Sequence, residues 1–396
     1  MILGDLGAEV IKVEEMTGGD QTRNIPPFVE GESHYFLAIN RNKKSLALDA
    51  RAEGGKAVLR DLVRHCDALV ENFRPGVMER LGLGFDSLRA INPRLILCSI
   101  SGYGQDTSLS GKPSFDLVAQ ALSGVMSING EPDGPPTKLG LPMGDLGGGL
   151  WAAIAILSAL QHRNATGEAL TIDLSLLEGM TGLLGYLAQN YLGAGENPER
   201  VGSSHQSVVP YGRFPTRDGH MVVALMVESF YVKFCAAIGR PELATDPRFA
   251  TTTGRKTNRH TLETLIAAVM TGRTSAEWET IFAAHDIPCG PVNTVAEALT
   301  MPVLAERAVI RTAEHPAAGP VRMVRSPVRF AGRFEDVAMI PAPMLGQHTL
   351  EILTGLLGYD PARIAALTRE GAIPATIREG AVPATRRGDG RSAGRH

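Results

Sequence analysis

An aspartate and three consecutive glycines stand close together in the stretch LPMGDLGGGLW, residues 141–151. Asp145 is followed closely by Gly147, Gly148 and Gly149, and an apolar run comes next. Glycine in a helix costs about 1 kcal/mol relative to alanine, so three of them indicate that a ligand or another backbone comes very close. A carboxylate beside backbone amides at a helix start can act as a nucleophile, with the amides facing the oxyanion that develops.

Two other interpretations of this stretch stay open. Asp145 stands ahead of an apolar helical run and could be its N-cap, accepting hydrogen bonds from the first-turn amides. The glycines could instead bind a phosphate at the helix N-terminus. Against phosphate binding, the chain has neither G-x-G-x-x-G after its first strand nor G-x-x-x-x-G-K-[ST], and Asp145 would repel a phosphate.

Length and charge narrow the class of protein. The chain has 396 residues and a net charge of −3. That length suggests about two domains, and that charge gives no reason to expect a nucleic acid or an anionic membrane surface as partner. The apolar run after Asp145 has roughly 11 residues, which is shorter than the ~20 of a membrane-spanning helix.

Cysteine and histidine usage predicts a cytoplasmic protein without a metal site. The four cysteines form no C-x-x-C pair, which fits a reducing compartment, and no basic and then apolar leader opens the sequence. The ten histidines show neither H-E-x-x-H nor H-x-x-x-H spacing, so we expect no metal ligand set.

Strand and helix patterns alternate in the first part of the chain. Strand-like segments at 8–14, 67–72 and 94–101 are separated by helical patterns, of which the longest are at 52–66 and 115–126. This alternation predicts an α/β fold with a Rossmann-like, mostly parallel sheet and helices on both of its faces. Such a sheet binds its ligand outside the carboxyl ends of its strands.

The rest of the chain divides into three parts. Residues 201–300 combine a predicted hairpin at 211–226, turning at an Asp-Gly pair, with helical segments, and indicate a smaller α+β domain. We expect residues 301–375 to return to the large domain that begins with residues 1–200. The near-repeat at 369–385 and the Arg-rich end lack apolar periodicity, so we expect a disordered tail over 376–396.

Eight segments in order carry a resemblance to a known family. The chain resembles the class III CoA-transferases, the family of formyl-CoA:oxalate CoA-transferase and its relatives. The matching segments are DLGAEVIKVE (5–14), NRNKKSLALD (40–49), ENFRPGVMERLGLG (71–84), INPRLILCSISGYG (91–104), DLVAQALSG (116–124), GDLGGG (144–149), PVNTVAEAL (291–299) and SPVRF (326–330).

The resemblance implies a covalent mechanism at Asp145, which stands where the family has its nucleophile. Asp145 would attack a donor acyl-CoA, the released CoA thiolate would return to form an aspartyl-CoA thioester, and an incoming carboxylate would take the CoA. No permanently bound cofactor is needed, because coenzyme A is itself a substrate. An open turn at Gly147–Gly149 would leave room for the thioester.

The resemblance also assigns a set of CoA-binding residues. In the family, the segment that here reads ENFRPG lies against CoA, and the arginine one turn later binds it. The matching residues are Asn72, Phe73, Arg74 and Arg80, and Arg51 stands where a basic residue commonly faces the CoA phosphates. Arginine suits phosphate because it offers paired N–H donors.

Substrate choice and assembly are expectations from the same resemblance. Small-domain loops shape the acceptor pocket in the family, and His205 and Gln206 could there meet the second carboxylate of a dicarboxylic acid. Family members form interlocked homodimers, which we expect here. They usually carry a further strand before DLGAEVIKVE, so we expect the natural start to lie upstream of Met1.

Two alternative functions remain. The related α-methylacyl-CoA racemases pair the equivalent aspartate with a histidine as two acid/base groups. That histidine falls where this chain has Phe115, which cannot move a proton and therefore favours CoA transfer. The second alternative, motivated by the short start, is an inactive CoA-binding structural subunit.

Overall fold

A computed structural model describes residues 1–330 and 339–376, which form two compact units. Unit 1 comprises Met1–Ser99, Ala153–Ile172 and the segment from Ala305 onward, and unit 2 comprises Ile100–Ala152 and Asp173–Leu304. These bounds differ from the domain boundary placed at 201, because residues 100–152 and 173–200 group with 201–304. Apart from Thr376, the predicted tail lies outside the described residues.

The strands in the described residues form short parallel and antiparallel groups. They are β1 (Val10–Glu14), β2 (Phe28–Val29), β3 (Glu32–Ser33), β4 (Lys43–Ala47), β5 (Ala68–Glu71), β6 (Ile96–Ser101), β7 (Thr171–Ser175), β8 (Tyr211–Pro215), β9 (His220–Ala224), β10 (Cys289–Pro291), β11 (Ile310–His315) and β12 (Gly319–Val324).

Parallel pairing is present where the sequence predicts it. Strand β1 pairs with β4 in parallel, and β5 pairs with β6 in parallel with Ala68 opposite Ile96. Hydrogen bonds divide these strands into a two-stranded sheet, β1-β4, and a three-stranded sheet, β5-β6-β7, rather than one continuous sheet. The predicted hairpin of the α+β part is present as antiparallel β8 and β9, with β10 on the other side of β9.

Helices occupy somewhat less than half of the remaining described residues. They are α1 (Ile2–Asp5), α2 (His34–Ile39), α3 (Glu53–His65), α4 (Val77–Arg80), α5 (Phe85–Ile91), α6 (Asp116–Leu122), α7 (Val125–Ile128), α8 (Met143–Thr166), α9 (Leu176–Leu183), α10 (Tyr186–Ala194), α11 (Glu228–Ala237), α12 (Thr252–Thr257), α13 (Arg259–Met270), α14 (Ser275–Ala284), α15 (Val295–Leu299), α16 (Pro302–Glu306), α17 (Thr349–Glu351) and α18 (Pro361–Arg369).

Local chemistry explains where several of these helices begin and end. The helix predicted over 115–126 is interrupted at Gly124, whose φ of 86° lies in the left-handed region that favours glycine. Thr274 and Thr294 each begin a helix through a capping box with a glutamate three residues later.

Two buried apolar clusters hold the elements of unit 2 together. In unit 2, the hairpin β8-β9 packs with helices α11, α13 and α14 around residues such as Phe234, Met221 and Phe282. A smaller cluster of Ala119, Val125, Leu176 and Met180 joins α6, α7 and α9, with Met143 packed against it. This second cluster holds the start of helix α8, which carries Asp145.

Helix α8 is longer than its apolar run suggested. It has 24 residues, and an 18-residue stretch within it has a mean hydropathy of 1.5, so by length and composition alone it could cross a membrane. The expectation of a segment too short to span was therefore wrong about the helix, because the helix extends beyond both ends of the apolar run. A long apolar core helix has the same composition, so this property does not identify a membrane protein.

Candidate active site

Asp145 is the third residue of helix α8, not the residue that caps it. The helix begins at Met143, directly after Pro142, whose fixed φ suits a helix start. The amide of Met143 donates to the Leu141 carbonyl at 2.8 Å, and that of Leu146 donates to the Pro142 carbonyl at 2.9 Å. The N-cap interpretation of Asp145 is therefore wrong.

A second carboxylate, Asp116, takes the remaining first-turn amides. Its Oδ1 accepts hydrogen bonds from the amides of Gly144 at 2.7 Å and Asp145 at 3.4 Å. Its Oδ2 accepts from Nε2 of Gln120 at 2.8 Å. These amides cannot also face an oxyanion, so the predicted oxyanion role of the helix start is wrong: its donors are already satisfied inside the protein.

The three glycines lie within helix α8 and serve different purposes. The open turn expected at Gly147–Gly149 is therefore wrong. A Cβ at Gly148 would lie 2.5 Å from Cδ2 of Leu176, and one at Gly147 would lie 3.4 Å from Cδ1 of Leu183. A Cβ at Gly149 would meet nothing within 4 Å. Gly148 thus allows close packing, whereas Gly149 leaves open space one turn beyond Asp145 on the same helix face.

The Asp145 carboxylate is not engaged in a structural hydrogen bond within the described residues. It is exposed, and among residues 1–330 and 339–376 it accepts no hydrogen bond. The surrounding protein nevertheless raises the pKa of Asp145 above its ordinary value, first through partial burial and second through the negative charge of Asp116. A carboxylate that is more basic than usual is a better nucleophile.

The predicted CoA-binding segment is an exposed loop and short helix of unit 1. Phe73 is 51% exposed, and its amide is held by Oε2 of Glu71 at 2.7 Å. Gly76 adopts a φ of 81°, and a Cβ there would lie 3.1 Å from Nη1 of Arg80, so the guanidinium lies close to the turn. Within the described chain, Arg74 and Arg80 form no salt bridge.

Arg51 and Asn72 are placed differently from each other. Asn72 lies in the exposed loop directly after β5, beside Phe73. Arg51 is also exposed, but its Nη2 pairs with Oε1 of Glu15 at 3.0 Å. All four residues of the segment, Asn72, Phe73, Arg74 and Arg80, are therefore exposed, whereas Arg51 is paired with Glu15.

His205 is fixed in a single tautomer by its own loop. Its Nδ1 accepts hydrogen bonds from the amides of Ser207 and Val208, both at 3.0 Å, so the proton of the neutral ring is on Nε2. Nε2 lies 3.4 Å from the Tyr186 hydroxyl, and the two rings stack with centroids 5.7 Å apart. Burial and the charge of Arg259 lower the pKa of His205, which favours this neutral form.

Gln206 is less available than His205. Its Nε2 donates to the carbonyl of Glu199 at 2.5 Å. Arg259 also holds this loop, because its Nη2 donates to the carbonyls of His205 at 2.7 Å and Gln206 at 3.2 Å. The loop therefore presents the His205 ring from a rigid backbone.

Sequence reasoning missed Asp116 and Tyr186. Asp116 stands next to Phe115, the residue weighed against the racemase histidine, and an acidic residue opening a helix pattern was the available signal. Helix α10 and a loop lie between Tyr186 and His205 in the chain, so no sequence spacing indicates their contact. Within the described part of the chain, no group of histidine, cysteine, aspartate and glutamate could hold a metal ion.

Comparison with known proteins identifies the family. A family model described as CoA-transferase family III matches residues 1–349. The chain is 38% identical over 374 residues to succinyl-CoA:glutarate CoA-transferase of Mus musculus, covering 94% of this chain and 86% of that protein. It is 38% identical over 348 residues to acetyl-CoA:oxalate CoA-transferase of Acetobacter aceti, covering 88% of each.

A solved structure of known family has a similar fold. The crystal structure of a CAIB/BAIF family protein from Brucella suis matches with a TM-score of 0.78 and 36% identity, covering 89% of this chain and 93% of that one. The resemblance drawn from the eight sequence segments is confirmed.

Proposed function

The chain belongs to CoA-transferase family III, and from that premise we propose that it moves CoA from an acyl-CoA to a free dicarboxylic acid through covalent intermediates on Asp145. The names of the two relatives support this acceptor class, since one acts on glutarate and the other on oxalate. Both acids carry a second carboxylate that a polar pocket can recognise.

The proposed reaction proceeds in balanced steps. An Asp145 oxygen attacks the thioester carbon of the donor, a C–O bond forms, and the C–S bond breaks to release CoA thiolate. The thiolate attacks the Asp145 carbonyl of the mixed anhydride, which forms the aspartyl-CoA thioester and expels the donor acid. The acceptor carboxylate then attacks the aspartyl carbonyl of this thioester, which forms a second mixed anhydride and releases the thiolate. The thiolate attacks the acceptor carbonyl of that anhydride, which forms the acceptor acyl-CoA and frees the Asp145 carboxylate.

One observation carries this proposal: the Asp145 carboxylate accepts no hydrogen bond within the described residues, and one turn later on the same helix a Cβ at Gly149 would meet nothing within 4 Å. A structural aspartate at a helix start normally accepts backbone hydrogen bonds. Here Asp116 accepts them instead, which leaves Asp145 for chemistry.

Trapping tests the covalent step directly. The protein is incubated with succinyl-CoA and hydroxylamine, and mass spectrometry locates the hydroxamate formed from any aspartyl intermediate. We expect modification at Asp145 alone, none in Asp145→Ala, and normal modification in Asp133→Asn, an exposed loop control of the same unit. Exchange that persists in Asp145→Ala, or modification at another residue, contradicts the proposal.

The alternative activities give different results with the same protein. A racemase exchanges the α-proton of 2-methylacyl-CoA for deuterium in heavy water without needing an acceptor acid. An inactive subunit binds CoA but forms no hydroxamate. Phe115 is 76% exposed at the start of α6, beside Asp116, and cannot act as the second acid/base group.

We propose that the segment from Asn72 to Arg80 binds the nucleotide part of CoA. Phe73 offers an exposed aromatic face for the adenine, and Arg74 and Arg80 offer guanidinium groups free of salt bridges within the described residues. Arginine binds phosphate through paired N–H donors. Arg51 is a weaker candidate, because reaching a phosphate requires it to leave Glu15.

For the acceptor, we propose that His205 binds its second carboxylate. Neutral His205 presents Nε2–H, a hydrogen-bond donor that a carboxylate can accept, and Tyr186 adds a hydroxyl at the same place. Gln206 supports the loop through its bond to Glu199 and is a second candidate for the same carboxylate.

An exposed apolar stripe on helix α8 supports the proposal of a homodimer, interlocked as in the family. Leu146, Leu150, Ile154 and Leu157 recur at helical spacing and are between 41% and 54% exposed. Such a stripe normally lies in an interface. Light scattering should give a dimer, and Leu150→Asp with Ile154→Asp should weaken it; a wild-type monomer contradicts the proposal.

A further inference from the structure

Asp116 changes the electrostatics of the helix end that carries Asp145. The free amides at a helix N-terminus hold a partial positive charge, which stabilises an anion placed in the first turn. Asp145 stands in that turn, so unopposed amides would stabilise its carboxylate and weaken it as a nucleophile. Instead, Oδ1 of Asp116 accepts the hydrogen bonds of Gly144 and Asp145.

Gly144 and Gln120 fix the position of the Asp116 carboxylate. Gly144 lacks a side chain, and a Cβ there would lie 2.9 Å from Oδ1 of Asp116 and 3.4 Å from its Cα. Gln120 is fully buried, and its Oε1 accepts from the Leu139 amide at 2.9 Å. This contact fixes the Gln120 amide, so its Nε2 must donate towards Asp116.

Asp116 is also the charged group that acts on Asp145. The neighbours of the glycine face are apolar, namely Leu176, Leu174, Ile100 and Leu183. Asp173 of β7 accepts a bond from the Gln105 amide, and Glu178 of α9 is exposed. The pKa of Asp145 is raised first by partial burial and second by the negative charge of Asp116.

We propose that Asp116 is a positioning residue of the transfer reaction, which holds the first turn of α8 and supplies the negative charge that keeps Asp145 nucleophilic. This inference rests on the proposed function of Asp145. It assigns Asp116 no contact with substrate. Two roles are therefore separable: holding the helix end by hydrogen bonds, and supplying charge.

Two substitutions distinguish these roles, because each role predicts a different order of their activities. Asparagine can accept the helix-end hydrogen bonds through Oδ1 and carries no charge, but its Nδ2 cannot accept the bond from Nε2 of Gln120. Glutamate keeps the charge but lengthens the side chain. If charge matters, Asp116→Glu retains more activity than Asp116→Asn; if only the helix-end hydrogen bonds matter, the order is reversed.

The experiment measures the pKa of Asp145 together with steady-state kinetics. The pKa comes from the ¹³C carboxyl titration of labelled protein, with the Asp145 signal assigned by its loss in Asp145→Asn. In Asp116→Asn we expect a lower Asp145 pKa, and a kcat reduced about tenfold, equivalent to about 1.4 kcal/mol, with KM for both substrates nearly unchanged. In Asp116→Glu both quantities should stay near wild type.

The outcomes separate this inference from the proposed function. An unchanged Asp145 pKa in Asp116→Asn, or a lower kcat in Asp116→Glu than in Asp116→Asn, overturns the charge role even if Asp145 is the nucleophile. Failure of the proposed function appears instead as activity in Asp145→Ala. If Asp116→Asn does not fold, Asp116→Ser removes the same charge while offering Gln120 a hydroxyl acceptor, and the same readouts apply.

Discussion

Cδ2 of Leu176 occupies the place that a side chain at Gly148 would need, since a Cβ there would lie only 2.5 Å away. Leu176 is 7% exposed and belongs to the cluster that holds α6, α7 and α9. One glycine of the GGG run is therefore required by packing.

Gly148→Ala should destabilise the protein. Overpacking a buried site costs roughly 1–3 kcal/mol, and the better helix propensity of alanine returns about 1 kcal/mol. We expect a net loss of about 1 kcal/mol in the free energy of unfolding, measured by urea denaturation. Equal or greater stability than wild type would show that Leu176 moves aside freely.

Gly149→Ala should have the opposite effect on stability. Its Cβ meets nothing within 4 Å, so helix propensity alone should raise the free energy of unfolding by up to about 1 kcal/mol. Because the added methyl enters the space beside Asp145, kcat/KM should fall. A variant that is more stable and fully active would mean that this space is not used by the thioester.

The stability of the protein should depend on Asp145 and on pH. Its pKa is raised in the folded protein, so the folded form binds this proton more tightly than the unfolded form. The contribution of Asp145 to stability therefore falls as pH rises from its ordinary pKa, about 3.9, through the folded-state value.

Asp145→Asn removes this dependence. Relative to wild type, its free energy of unfolding should increase across that interval and stay constant above it. Chemical denaturation at a series of pH values measures the difference, with Asp133→Asn as the control for losing one carboxylate. A difference that decreases with pH contradicts the raised pKa.

Substitutions in the CoA segment should affect binding more than chemistry. Arg80→Gln and Phe73→Ala should each raise KM for the acyl-CoA about tenfold, because Arg80 loses a charge-assisted hydrogen bond worth about 1.5–3 kcal/mol and Phe73 loses a base-stacking contact worth about 1–3 kcal/mol. The kcat should change little. Arg369→Gln, at the exposed end of α18, is the matched control. An unchanged KM in both variants excludes this segment from CoA binding.

His205 should affect the acceptor and not the donor. His205→Phe keeps a ring to stack on Tyr186 but removes Nε2–H, so KM for a dicarboxylate should rise about tenfold, or about 1.4 kcal/mol. Steady-state kinetics with glutarate and with a monocarboxylate of equal length distinguish the roles. Equal effects on both acids would assign His205 a structural role only.

Much of the local structure follows from sequence patterns. The strand at Val10–Glu14 and the helix at Glu53–His65 are present where apolar periodicity predicts them, because these patterns reflect which face is buried. The family follows from segment identity, which the comparisons confirm. The glycines that follow Asp145 single this residue out in the sequence alone.

Tertiary structure decided what the neighbours of Asp145 do. Whether a glycine leaves room or allows packing depends on what lies opposite it, and only the position of Leu176 separates Gly148 from Gly149. Asp116 is 29 residues from Asp145 in the chain, and its capture of the helix-end amides depends on how α6 packs against α8. Sequence determines which groups are present and their local periodicity, whereas contacts between distant segments depend on packing that no spacing records.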